Sequence, residues 1–277
     1  MKERAISAIF FTLIMFAGVF GGAWSFYLLF LLIAGGSAWE LIKLLSDQDT
    51  NYLFNRKLIG TLLGIWPLLL YLVPTGGTLY SLDNLLFPVL LLFPIVVLLL
   101  TELLLQSTNP FRNIGNYLLT LIYVGFPFAL LADIAFEAQY YDGWKVFGLL
   151  LLNWMNDTFA YLTGYFIGKT PFLPRISPKK TWEGTIGGIL FTFLFAWVVS
   201  NWMSCYSTPQ WLTIATIVAI FGTLGDLVES MLKRSVGVKD SGAILPGHGG
   251  FLDRFDSFIV LIPFVWIALK LLNFLNV

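Results

Sequence analysis

Two acidic pairs stand out in an otherwise apolar chain. In GTLGDLVESMLKR, Asp226, Glu229 and Lys233 are spaced i, i+3 and i+7, and in FLDRFDS, Asp253 and Asp256 are spaced i, i+3. On helices each set shares a stripe, because residues three and four apart are neighbours on one face. The two helices are joined by a short segment, so they run antiparallel and their acids gather at one end. Carboxylates converging there, with a single cysteine and a single histidine in the chain, form an oxygen-ligand site for Mg²⁺ or another hard cation rather than for Zn²⁺. The intervening KDSGAILPGHGG offers Gly247, Gly249 and Gly250, which let backbone approach phosphate, and Lys239, His248 and Arg254 supply positive donors. Metal, glycine backbone and basic side chains together describe phosphoryl or nucleotidyl transfer.

Further polar groups lie upstream. The segment GKTPFLPRISPKKTWEG places Ser177, Lys179, Lys180, Thr181 and Glu183 just ahead of an apolar helix. Cations and hydroxyls beside free helical N–H groups suit an anion; a positive loop that only sets membrane orientation is the alternative. In LLNWMNDTFAYLTGYF, Asn153, Asp157 and Tyr161 are four apart and share a face. Asp157 sits about 16 Å from the end of its helix at 1.5 Å per residue, a depth at which an ionisable group normally serves a wet cavity or a protein interior.

The elements that position these groups are membrane helices. The 277 residues are 58% hydrophobic and only 12% charged, which predicts an all-α, polytopic integral membrane protein. Nine apolar runs are readable, near 5–21, 24–45, 58–73, 85–105, 117–138, 144–168, 184–203, 211–233 and 255–275. All but two of the 16 Lys and Arg residues fall on one side of this layout, the exceptions being Lys145 and Lys270. That asymmetry predicts a cytoplasmic N-terminus and a cytoplasmic site. The first run, after MKER, reads as a retained helix rather than a leader.

Three segments follow: 1–116 with four helices, 117–168 with two, of which the second is polar, and 169–277 with the three helices and loops that carry the chemistry. Glu40 with Lys43, and Asp133 and Glu137, read as interfacial charges near helix ends. Gly18 and Gly22, Gly60 and Gly64, Gly164 and Gly168, and Gly184 and Gly188 are spaced for close helix packing. Cys205, alone, reads as a small packed residue. Zero formal net charge gives no reason to expect a nucleic-acid partner.

SMLKRSVGVKDSGAILPGHGGFLDRFDS (230–257) and RISPKKTWEGTIGG (175–188) resemble the recurring motifs of phosphatidate cytidylyltransferases, also called CDP-diacylglycerol synthases. The resemblance implies transfer of CMP from CTP to phosphatidic acid, giving CDP-diacylglycerol and pyrophosphate in phospholipid biosynthesis, at the cytoplasmic face of the inner membrane. It implies Mg²⁺ held chiefly by Asp226 and Asp253, with Glu229 and Asp256 beside them, and His248 as a phosphate ligand or orienting group. Lys179, Lys180, Lys239 and Arg254 would screen the polyphosphate. A monovalent cation such as K⁺ and a homodimer are also implied. Tyr165 departs from a basic residue expected at that position. A CTP-dependent lipid kinase and an ion-coupled transporter remain as alternatives; the first would release no pyrophosphate, and the second would favour midplane sites on broken, repeated helices.

Overall fold

A computed structural model describes residues 2–46, 53–72, 86–105, 107–137, 140–242 and 249–275. His248 and Gly247 lie outside them. The described residues form nine helical rods: α1 (Lys2–Phe20), α2 (Ala23–Leu45), α3 (Leu53–Leu72), α4 (Leu86–Leu105), α5 (Pro110–Ala135), α6 (Gly143–Ile167), α7 (Trp182–Ser200), α8 (Thr208–Ser235) and α9 (Leu252–Phe274). Two rods contain a π turn, Leu121–Gly125 in α5 and Val218–Gly222 in α8.

Among the described residues, six helices are long and apolar enough to cross a membrane: α2, α3, α5, α7, α8 and α9. The chain is therefore a multi-pass membrane protein. The described side chains of α1 and α4 add two further apolar helical stretches, Ile9–Phe20 and Leu92–Leu104, and in α6 Asn153, Asn156 and Asp157 interrupt the apolar pattern. Large apolar side chains on the outer surfaces, such as Leu104 and Phe166, face what in the membrane is lipid, which is as apolar as leucine itself.

The all-α expectation needs a small amendment. Phe136–Glu137 (β1) pairs with Tyr140–Tyr141 (β2), and Pro171–Leu173 (β3) pairs antiparallel with Ser177–Thr181 (β4), with Pro171 opposite Thr181 and Leu173 opposite Ser177. Pro171, Pro174 and Pro178 deny this second stretch a helix, and the hairpin gives its backbone groups partners instead.

The chain divides into two compact units, Met1–Tyr141 with Ser241–Leu252, and Asp142–Asp240 with Asp253–Val277. In the first, α2 packs closely on α3: a Cβ at Gly60 would fall 2.2 Å from Ile42 and one at Gly64 would fall 2.4 Å from Ala38. Phe26 and Phe30 are fully buried in an aromatic group that includes Phe128, Phe136 and Tyr141. Glu40 and Asp133 are not interfacial. They are only 2% and 9% exposed, and each meets internal donors, Asp133 the Tyr71 hydroxyl and Glu40, through Oε2, Ser241 and the Leu252 amide, while Glu40 Oε1 has no donor among the described residues. Burial of a carboxylate demands such donors. The side chain of Glu137 lies outside the described residues.

In the second unit, α6 and α7 approach backbone to backbone. A Cβ at Gly184 would stand 2.7 Å from the Ala160 carbonyl and 3.0 Å from the Gly164 Cα, and a Cβ at Gly188 would stand 2.9 Å from the Ala160 Cβ. The small-residue spacing in this pair thus has the packing role expected of it. Trp211, fully buried, fills the notch left by Gly148.

Candidate active site

The π turn of α8 ends at Gly222, and the α-helical segment that follows presents Thr223, Asp226 and Glu229. Gly225 lets this segment touch α9: a Cβ there would meet the Ser257 Cα at 2.8 Å and the Asp256 carbonyl at 2.9 Å. This approach brings Asp226, Glu229 and Asp256 together, with one carboxylate oxygen of each within 4.8 Å of the others. Glu229 is 1% exposed and its Oε1 accepts no hydrogen bond among the described residues. Three hard oxygen donors around a buried carboxylate oxygen left without a donor fit a divalent cation such as Mg²⁺.

Two lysines border this triad. Lys233, one turn beyond Glu229, pairs with Glu229 and also donates to Asp253 Oδ1 at 2.7 Å. Asp253 and Asp256, adjacent on the first turn of α9, thus have different company: Asp256 joins the triad, and Asp253 meets Lys233. Lys180 arrives from β4, its Nζ 2.5 Å from Asp226 Oδ2 and 3.5 Å from the Thr223 carbonyl. Strand alternation sends neighbouring side chains to opposite faces, which is why Lys180 reaches Asp226 while Lys179 stays exposed. Ser230 adds an Oγ–H donor to Asp226 Oδ1 at 3.3 Å.

The rest of the hairpin is held by local chemistry. Thr181 caps α7, its Oγ1 accepting from the Gly184 amide at 3.2 Å, the usual task of a threonine in this place. Glu183 accepts from the amides of Lys169 and Thr170 at 3.1 Å, so both of these candidates shape the loop in this structure. Ser177 opens β4, half-buried. On α6, Asn153 donates to Asp157 Oδ2 at 3.5 Å, while its Oδ1 finds no donor among the described residues. Neighbouring Asn156 accepts from Thr192 of α7 at 3.4 Å. Tyr161 and Tyr165 are exposed.

Lys239 and Arg254 are exposed on their segments. Gly249 adopts φ 83°, a left-handed conformation that glycine tolerates and larger residues resist. Gly250, buried, packs on Glu40. The spacing of the acids does not point to Gly225 or Asn156; the signal in the sequence for Gly225 is its place beside Asp226.

The chain matches the cytidylyltransferase family over residues 2–272. It belongs to that family. Among curated relatives, it is 33% identical over 274 residues to the phosphatidate cytidylyltransferase of Bacillus subtilis (strain 168), covering 99% of both chains. It is 36% identical over 255 residues to the phosphatidate cytidylyltransferase of Thermotoga maritima, covering 88% of this chain and 86% of the relative. With the enzyme of the same name from Staphylococcus aureus (strain COL) it shares 43% identity over 161 residues, 57% of this chain and 60% of the relative.

The two lysines of β4 provide a test. Lys180→Ala is expected to reduce kcat/KM for CTP by on the order of tenfold or more, because it removes a cation bonded directly to a triad carboxylate. Lys179→Ala, exposed in this structure, should have the smaller effect. Steady-state kinetics on purified, correctly inserted variants decides this, and equal full activity in the double variant would reduce the hairpin to a topological signal.

Proposed function

We propose that this protein is a phosphatidate cytidylyltransferase, transferring CMP from CTP to phosphatidic acid and releasing pyrophosphate. The observation that carries the proposal is the identity with the Bacillus subtilis enzyme along 99% of both chains, supported by a carboxylate triad able to hold a divalent cation. The phosphate oxygen of phosphatidic acid attacks the α-phosphorus of CTP. The new P–O bond forms as the bond to the β-phosphate oxygen breaks, and that electron pair leaves on pyrophosphate. A phosphomonoester has a second pKa near 6, so its attacking form is abundant at neutral pH and the protein need not supply a base.

Asp226, Glu229 and Asp256 would hold Mg²⁺, which supplies charge neutralisation between the two polyanions. Lys180 is placed to exchange Asp226 for a phosphate oxygen when CTP arrives. Lys233 holds Glu229 and Asp253 in position and keeps α8 and α9 in register. Lys179, Lys239 and Arg254 complete a basic surface for the nucleotide, with the backbone at Gly249 and Gly250 and His248 as further phosphate contacts. Asn153 and Asp157 give α6 a polar face for a headgroup. A homodimer and a K⁺ ion rest on the family resemblance alone, and are measurable by mass in detergent and by cation dependence.

The deciding experiment incubates purified protein with phosphatidic acid and CTP labelled separately at the α- and γ-phosphates. Label from the α position in lipid, with γ-label in pyrophosphate, is the expected result. Label from γ in lipid would indicate a kinase instead.

The proposed topology has nine spans, with the N-terminus and the site cytoplasmic in the inner membrane. Cysteines introduced as Lys179→Cys and Lys239→Cys should then react with a membrane-impermeant maleimide only from the cytoplasmic side. The native Cys205 gives little background, because burial, aided by nearby Asp142, pushes its thiol up to about 11. Thiolate is the reactive form, so labelling of Cys205 should be slow at pH 7 and quicken about tenfold per pH unit below that pKa. Labelling of either new cysteine from the outside would overturn this topology.

A further inference from the structure

We infer that Glu40, on α2, is a positioning residue that pins both ends of the glycine-rich segment between Ser241 and Leu252. Nothing in the sequence motifs includes it, and its location in an early helix made it read as an interfacial charge. It is 2% exposed. A carboxylate in such a place is costly unless strong donors surround it.

The donors it has come from residues two hundred positions away. Glu40 Oε2 accepts from Ser241 Oγ at 3.0 Å and from the Leu252 amide at 2.9 Å. One oxygen therefore ties the two flanks of the segment to a single point on α2. Leu252 is the first residue of α9, so its N–H is one of the donors a helix start leaves without an intrahelical partner, and a carboxylate there also suits the helix dipole.

Two glycines of the segment, Gly242 and Gly250, are built around this carboxylate. A Cβ at Gly242 would lie 2.2 Å from Glu40 Oε1, and one at Gly250 would lie 2.2 Å from Oε2. One turn earlier on α2, Gly36 leaves room for the Phe251 ring, which would come within 2.3 Å of any Cβ. Gly36 and Glu40 thus form a socket on one face of α2, and Gly242, Gly250, Phe251 and Leu252 fit it. The residue after Leu252 is Asp253, and Gly249 with its left-handed backbone stands just before Gly250. By fixing Ser241 and Leu252, Glu40 determines where α9 begins and how the backbone of Gly249 and Gly250 is presented.

This assignment rests on the cytidylyltransferase reading for its catalytic consequence, though not for its structural one. The test uses full-length protein in detergent: wild type, Glu40→Gln, Ser241→Ala and the double variant. Glutamine keeps the size of the side chain and removes the charge; Ser241→Ala removes one donor and serves if Glu40→Gln folds poorly. Amide hydrogen exchange in peptides spanning 239–242 and 249–253 should quicken on the order of tenfold in Glu40→Gln, with α7 peptides unchanged. Turnover per folded molecule should fall by a comparable factor, and the double variant should cost less than the product of the singles, since both changes break one contact. Unchanged exchange in those peptides overturns the anchor. Faster exchange with unchanged turnover overturns the positioning role. A wild type that makes no CDP-diacylglycerol defeats the proposed reaction, while the exchange result still decides whether Glu40 holds the segment.

Discussion

Asp226→Asn should lower turnover on the order of a thousandfold, with the protein still inserted and folded. Asparagine preserves the shape of the side chain and one acceptor oxygen but removes the charge that a divalent cation requires. Glu229→Gln and Asp256→Asn should be nearly as severe, and pairing any two should add little, because ligands of one ion act as a unit. Asp253→Asn is the informative comparison: its carboxylate meets Lys233 rather than the triad, so its loss should leave more activity than loss of Asp256. Activity titrated against Mg²⁺, together with direct measurement of Mg²⁺ or Mn²⁺ binding, checks both points. Near wild-type turnover and metal affinity in Asp226→Asn would remove the triad from the chemistry.

Lys233→Met carries the largest expected cost in stability. Glu229 is buried and Lys233 is its cationic partner. Removing one member of such a pair leaves a buried charge without compensation, which typically costs roughly 3–5 kcal/mol. The thermal midpoint in detergent should fall accordingly. In Glu229→Gln/Lys233→Met part of that loss should return, because the Glu229 charge is gone while Asp253 still lacks Lys233, yet turnover should remain as low as in Glu229→Gln alone. Equal midpoints for the single and double variants would mean that the cost of losing Lys233 does not come from the Glu229 charge.

Much of this arrangement was legible in the residues. Each apolar run overlaps a helix among the described residues, and six of those helices are long and apolar enough to cross a membrane, the property that hydrophobic length reads most directly. The convergence of α8 and α9 followed from two acidic pairs flanking one segment. What helical spacing could not decide was rotation: Asp253 and Asp256 are both on the first turn of α9, and spacing alone does not say which faces α8. Gly225 decides it, by admitting the backbone of Asp256 and Ser257, and a glycine in an apolar helix carries no label saying what approaches it. Glu40 was obscured for another reason. Its partners are more than 200 positions distant, and a polar residue near a helix end looks the same in sequence whether it meets water or a buried amide.

The π turn at Val218–Gly222 sets the rotational phase of everything after it in α8. A π turn accommodates one residue more than an α turn does, and one residue corresponds to about 100° of rotation about the helix axis. Upstream of the turn, Trp211, Ile214 and Ala215 point into the packing of their unit; downstream, Asp226 and Glu229 point to α9. Removing a single residue inside the turn would let α8 run as an ordinary helix, and with Trp211 still seated, the two carboxylates would swing about a quarter-turn away from Asp256. The extra residue works as a frame shift in angle, allowing one rod to satisfy two faces that an uninterrupted helix could not align together.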